Sequence, residues 1–121
     1  DITRINRIID IYGDRFKKRC FSSNEIKRSE NKKNSIASYA KRYAAKEACS
    51  KALGTGLARG IYWKDIEVFN NEFGKPFIKL HKRAEDRVKN ISNNKNYKIE
   101  VSLSDEKQFA IANVIIFNNG Q

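Results

Sequence analysis

The chain has 121 residues, with 25 Lys+Arg against 14 Asp+Glu, a formal net charge of +11, and 40% of its residues apolar. That length fits one domain over residues 1–121, and that apolar share excludes a disordered basic tail. No apolar run approaches the roughly 20 residues of a membrane span, and the opening residues mix charge with isoleucine instead of building a signal peptide.

In chain order, Ile2, Ile5, Ile8, Ile9 and Tyr12 recur at helical spacing, with Gly13 as terminator. A short helical stretch follows around Phe16–Phe21. Ser22 and Glu25 form a capping-box pattern that starts another helix. Residues 30–34 read as a polar connector, after which Ser35 caps a long Ala-rich helix from Ile36 to Leu53, closed by Gly54. Ile66 and Val68, then Phe77 to Leu80, read as a hairpin around Gly74-Lys75-Pro76. Ala84 and Val88 predict a brief helix, and residues 90–96 a polar loop. Tyr97, Ile99, Val101 and Leu103 alternate as a half-buried strand. Residues 104–107 turn the chain into a mostly apolar last strand, Phe109 to Phe117. The class is α+β: N-terminal helices including one long central helix, packed on a small antiparallel sheet.

A pI near 9.8 points to an anionic partner, and no block of like charges forms a tail. Cys20 and Cys49 with the single His81 supply neither a disulfide scaffold nor a four-ligand zinc site, and both thiols read as reduced packing residues of a cytoplasmic protein. The chain contains no Met and begins at Asp1, which reads as a sequence whose native first residues are missing.

On the long helix, Ile36, Ala40, Tyr43 and Ala44 share a face that continues into Glu47 and Lys51. An exposed i,i+4 Glu–Lys pair explains the spacing but not its place on an apolar stripe. A partly buried Glu suits a cation, and the Lys suits an anion held by it. With Gly54-Thr55-Gly56 after the helix, and no full dinucleotide or P-loop fingerprint, this inventory fits phosphoryl-type transfer, in which positioning and charge stabilisation dominate.

Arg42 to Gly56 resembles the diagnostic block of the bacterial holo-acyl-carrier-protein synthases, the small 4′-phosphopantetheinyl transferases. Asp1-Ile2 with Arg7-Ile8, Phe21 to Glu25, Asp65 to Val68, Gly74-Lys75-Pro76 and Val101 to Ser104 are similar to further family motifs in the same order. The resemblance implies the phosphopantetheinyl transferase fold and Mg²⁺-dependent transfer of 4′-phosphopantetheine from coenzyme A to a serine of apo-acyl carrier protein. Adenosine 3′,5′-bisphosphate would be released, in support of fatty acid biosynthesis. It further implies Asp1 and Glu47 as Mg²⁺ ligands, and Glu47 and Lys51 as catalytic residues. Arg42, Lys51, Gly54, Gly74, Lys75, Pro76, Ser102 and Ser104 would contact coenzyme A, and Arg7, Arg15 and Arg19 an acidic carrier protein. A homotrimer with sites at subunit boundaries is expected, without nucleic acid or membrane partners. Glu47 and a metal-bound water are both candidates for removing the serine proton. Two departures stand out: Asp105 where some members have His, and Tyr43 for the more usual Phe. The rival readings are a small basic RNA-binding protein, with Tyr97, Phe109 and Phe117 mostly at core positions, and a non-catalytic interaction module.

Overall fold

The computed structural model describes residues 1–93 and 96–118. The N-terminal helices are α1 (Ile2–Tyr12), α2 (Asp14–Cys20), α3 (Ser23–Glu30) and the long α4 (Ser35–Ala52). A 3-10 turn, Trp63–Asp65, leads into β1 (Ile66–Asn70) and β2 (Pro76–Leu80), followed by α5 (Lys82–Ile91), β3 (Tyr97–Glu106) and β4 (Phe109–Asn118).

The local signals act largely as expected. Asp1 accepts from the Thr3 amide and caps α1, and Gly13 ends it at φ 53. Ser22 and Glu25 close both bonds of the capping box on α3. Several expectations need correction. The cap of α4 is Asn34, whose Oδ1 accepts from the Ala37 amide at 3.1 Å, because Ser35 is already inside the first turn. The expected turn over residues 104–107 is strand as far as Glu106, and the reversal falls on Lys107, at φ 53, and Gln108. Helix α5 runs on to Ile91 into the expected loop, of which residues 94 and 95 lie outside the described residues. The strands form two antiparallel pairs, β1–β2 and β3–β4, where a single small sheet was expected.

Helix α4 is the axis of the packing. Tyr39 and Ala40 belong to a cluster with Ile5, Cys20 and Phe21; Ala45 joins Val68 and Val101; Cys49 and Leu53 join Ile61, Ile66, Leu80, Ala84 and Val88. Each fully buried large side chain of this set contributes about 1.5–3 kcal/mol of transfer free energy. Strand β4 turns Ala110, Ala112, Val114 and Ile116 toward these clusters. The period-2 alternation therefore puts Phe109, Ile111, Ile115 and Phe117 outside, all exposed. Phe109 and Phe117 are thus not core residues, while Tyr97 is half-buried. Both cysteines are free and buried, and burial pushes the Cys49 thiol up to about 12, so it is inert packing. No helix among the described residues is long and apolar enough to cross a membrane.

Candidate active site

The first half of α4, the end of α3 and the β1–β2 turn enclose a cavity of about 390 Å³. Arg28, Lys32, Lys33, Lys41 and Arg42 line it, with Asn70, Gly74, Pro76, Leu103 and Asp105 on the opposite wall. Arg42 is 4% exposed. Its Nη1 donates to Ser38 Oγ at 2.8 Å and its Nη2 to Asn70 Oδ1 at 2.7 Å. Asn70 passes the connection to the turn, donating from Nδ2 to the Gly74 carbonyl at 3.0 Å. Burial pulls the Arg42 guanidinium below its ordinary value; Glu25 opposes the fall and Arg28 adds to it. An arginine keeps its proton in proteins, so the group stays charged.

Among the described residues, the buried Nε atoms of two arginines that line this cavity, Arg28 and Arg42, have no partner. Buried donors are almost always satisfied, and an orphaned one on a cation is costly. Asp105, the carboxylate in the lining, is engaged by Lys41 at 2.9 Å. The cavity therefore holds an excess of positive charge with unspent hydrogen-bond donors, the inventory for a phosphate-bearing ligand.

The expected coenzyme residues divide into groups. Arg42, Gly74 and Pro76 line the cavity. Lys75 is exposed, with its ammonium 5.5 Å from the Phe77 ring centroid. Ser102 and Ser104 pair with Asn113 and Ile111 and stand on the outer face of β3–β4, so it is the intervening Leu103 and Asp105 that face the cavity. Gly54, at φ 82, follows the other end of α4.

Glu47 and Lys51 lie on the flank of α4: Glu47 is half-buried, Lys51 exposed, and they form no ion pair with each other. The buried face of the helix carries Tyr39, Arg42, Lys46, Cys49 and Leu53, so the apolar stripe read from Ile36 to Tyr43 lies beside the most buried line. The Glu47 carboxylate has no hydrogen bond or ion pair among the described residues and acts on the Tyr43 phenol, raising its pKa after the larger effect of burial. Arg4, one turn after Asp1, acts on the same phenol. The charges of Glu47 and Arg4 thus act on one phenol from opposite directions, Glu47 raising and Arg4 lowering its pKa. A half-buried carboxylate with free acceptor capacity has the chemistry of a Mg²⁺ ligand, since that ion takes few protein ligands and fills its octahedron with phosphate oxygens and water. Among the described residues no group of three or more His, Cys, Asp or Glu could enclose a metal unaided.

Next to Glu47, Lys46 is wholly buried. Its ammonium donates to Glu25 Oε1 at 2.9 Å, to the Trp63 carbonyl at 2.9 Å and to the Ile66 carbonyl. Burial pulls its pKa down and Glu25 opposes this. Glu25 also accepts from the Val68 amide at 2.9 Å, so one carboxylate caps α3, pairs with α4 and docks β1. Sequence reading found Glu25 as a cap and missed this second duty. It also missed Arg28, Lys32 and Lys33 as cavity walls; their clustering just before α4 was the available signal. Arg15 and Arg19 flank a groove with Ile8, Tyr12 and Phe16, while Arg7 is exposed on α1 outside it.

A family model described as the 4′-phosphopantetheinyl transferase superfamily matches residues 1–113. The holo-[acyl-carrier-protein] synthase of Rhizobium rhizogenes is 47% identical over 117 residues, 96% of this chain and 87% of that protein. The crystal structure of the Neisseria meningitidis holo-[acyl-carrier-protein] synthase superposes with a TM-score of 0.83 at 26% identity, covering 97% of this chain and 91% of that one. The Helicobacter pylori synthase, solved in complex with coenzyme A, gives 0.78 at 32% identity, covering 96% and 93%. By full-length sequence identity, fold and motif order together, the chain belongs to the holo-[acyl-carrier-protein] synthases of the 4′-phosphopantetheinyl transferase superfamily.

Proposed function

We propose that this chain transfers 4′-phosphopantetheine from coenzyme A to a serine hydroxyl of an apo-acyl carrier protein, with Mg²⁺, in the cytoplasm, in support of fatty acid biosynthesis. The serine oxygen, its proton passing to Glu47 or to water, forms a new bond to the pantetheine-side phosphorus as the pyrophosphate P–O bond breaks. Adenosine 3′,5′-bisphosphate leaves with that bridging oxygen. The observation that carries the reading is the excess of cationic side chains lining the cavity, Arg28, Lys32, Lys33, Lys41 and Arg42, against one carboxylate that is already paired. A nucleotide phosphate would match that excess. Lys32 and Lys33 add charge at the rim, and the Asn70–Gly74 link shapes the wall for the nucleotide.

Asp1 and Glu47 are the residues that would hold Mg²⁺, which when bound neutralises charge on the pyrophosphate. Lys51, one turn beyond Glu47 and without an ion pair, would meet the charge that develops on the leaving phosphate. The arginine-flanked apolar groove on α1 and α2 suits an acidic helical partner, with Arg7 beside it. The outward row Phe109, Ile111, Ile115 and Phe117 supports a homotrimer, since such a row is rare on a monomer. Ser102 and Ser104 share that face, so in a trimer they would reach a neighbouring subunit's site, as would the expected coenzyme contacts that do not line this chain's own cavity. The same face offers little cationic charge among its aromatics, since β3 contributes Glu100 and Glu106 beside Lys98, which disfavours RNA.

The test of the nucleotide cavity is a thermal melt with coenzyme A. Wild type should gain several degrees at saturating coenzyme, by ligand linkage. Arg42→Lys keeps the charge but loses the planar fork, and should weaken coenzyme A by about tenfold, roughly 1.4 kcal/mol. Equal stabilisation of both proteins would remove Arg42 from the site.

A further inference from the structure

At the opposite end of α4, a second cavity of about 390 Å³ opens between the loop after the helix and α5. It shares no residue with the basic cavity described above. Arg59, Arg83 and Arg87 line it with one carboxylate, Asp86, and with Thr55 and Asn90. Positions 83, 86, 87 and 90 fall on one helical face, while Ala84 and Val88 bury the other and dock α5. The charged face is thus held toward the loop by the packing of its apolar opposite.

The backbone is shaped around these guanidinium groups. A Cβ on Gly60 would stand 2.5 Å from Arg83 Cδ and 2.9 Å from its Nη1, so the Arg83 side chain lies against bare glycine backbone. A Cβ on Gly54 would stand 3.2 Å from Arg87 Nη2. Arg87 is fixed by its Nε, which donates to the Leu53 carbonyl at 2.9 Å, leaving its terminal nitrogens. Arg59 sits between the two glycines in sequence at φ 59, a left-handed conformation that residues with a Cβ adopt rarely and that functional loops retain. Among the described residues, neither the Arg59 nor the Arg83 side chain makes a hydrogen bond or ion pair. Two positive charges in the lining are therefore unmatched, and every cation present is an arginine, whose fork matches phosphate oxygens in pairs.

We propose that this cavity is a second anion site, one that takes the dianionic phosphoryl group of a small phosphorylated ligand between Arg59, Arg83 and Arg87. A recess between a loop and a helix suits a compact anion, where an acidic protein would need a broad convex or grooved surface. Apart from Gly54, whose backbone only leaves room for Arg87, the inference uses none of the residues assigned to coenzyme A, metal or carrier protein, and variants of Arg59 and Arg83 test it separately from the transfer reaction.

The experiment is an NMR titration of the full chain with inorganic phosphate and, in parallel, glycerol 3-phosphate. Both should shift the amides of Thr55, Gly56, Arg59 and Gly60 and saturate with a Kd on the order of 1 mM or tighter. Tighter glycerol 3-phosphate identifies an organic phosphate ester as the natural class, and tighter inorganic phosphate the free ion. Arg59→Ser and Arg83→Ser should each weaken binding at least about tenfold, the loss of one charge-assisted bond, with Arg83→Lys intermediate. Lys32→Ser combined with Lys33→Ser, in the other cavity, should leave these shifts in place. Arg87 is left intact because it also caps α4, and thermal melts confirm that the variants fold. The proposal is overturned by shifts confined to the Arg28–Arg42 cavity, by equal shifts with chloride, by binding of polyglutamate without binding of phosphate, or by a folded Arg83→Ser chain that binds as wild type does.

Discussion

Arg42 and Lys46 are one turn apart on α4 and meet burial in opposite ways. The Lys46 ammonium has three donors and finds three acceptors, a closed account that makes it structural. Arg42 spends two of its nitrogens on the neutral partners Ser38 and Asn70 and pairs with no carboxylate among the described residues, so its charge is left for a ligand in the cavity it lines. Neither burial was legible from sequence. Ala occupies positions 37, 40, 44, 45, 48 and 52, so the helix gives little contrast between faces, and the apolar stripe read through Glu47 was displaced from the buried one. A further residue-scale consequence concerns Glu30. Its carboxyl accepts from the Tyr39 hydroxyl and from Lys17 at 3.0 Å, which together hold it below its ordinary value of 4.5. A carboxyl depressed in the folded state adds stability above its unfolded pKa and loses it as the pH falls through the folded one. Glu30→Gln should therefore lower the urea midpoint at pH 7, by less than about 1 kcal/mol at this exposed site. The gap to wild type should close as the pH drops below 4.5. A constant gap across that range would show that the bond does not depend on the charge.

Among the elements, those whose ends carry local chemistry were the readable ones. Gly13, the Ser22–Glu25 box and the Gly74-Lys75-Pro76 turn act through bonds a few positions long, and each sits where the sequence put it. What could not be read is the joining of elements across long separations. Glu25 reaches 43 positions to the Val68 amide and 21 to Lys46, locking α3, α4 and β1 at one buried point. Removing one partner of a buried pair leaves the other charge uncompensated, at a cost of about 3–5 kcal/mol. Lys46→Met should thus destabilise strongly in chemical denaturation. Glu25→Leu combined with Lys46→Met should be more stable than Lys46→Met alone, because no orphaned charge is left. If the double variant is the less stable, the backbone bonds of Glu25 outweigh the pairing. The separation of the two hairpins into two sheets was equally hidden, because alternation and turn signals give each hairpin but not whether their edges pair with one another.

For the molecule as a whole, the outward row on β4 is the feature that bears on the proposed trimer. The alternation of the last strand was visible in its sequence, yet which face turns outward depends on docking against α4, so Phe109 and Phe117 were misplaced in the core. Sedimentation should find a trimer at micromolar concentration, and Ile115→Glu, which puts a charge on that face, should yield a folded monomer. A wild-type monomer would leave Ser102 and Ser104 without a site to complete. The measurement that bears most directly on the proposed transfer is intact-mass spectrometry of an apo-acyl carrier protein incubated with the chain, coenzyme A and Mg²⁺. Wild type should add the mass of one phosphopantetheine to the carrier protein. Glu47→Gln should slow that gain by on the order of a hundredfold, about 3 kcal/mol of transition-state stabilisation, with partial recovery in excess Mg²⁺. A carrier protein that stays unmodified with folded wild-type chain, or one modified equally fast by Glu47→Gln, would contradict the account.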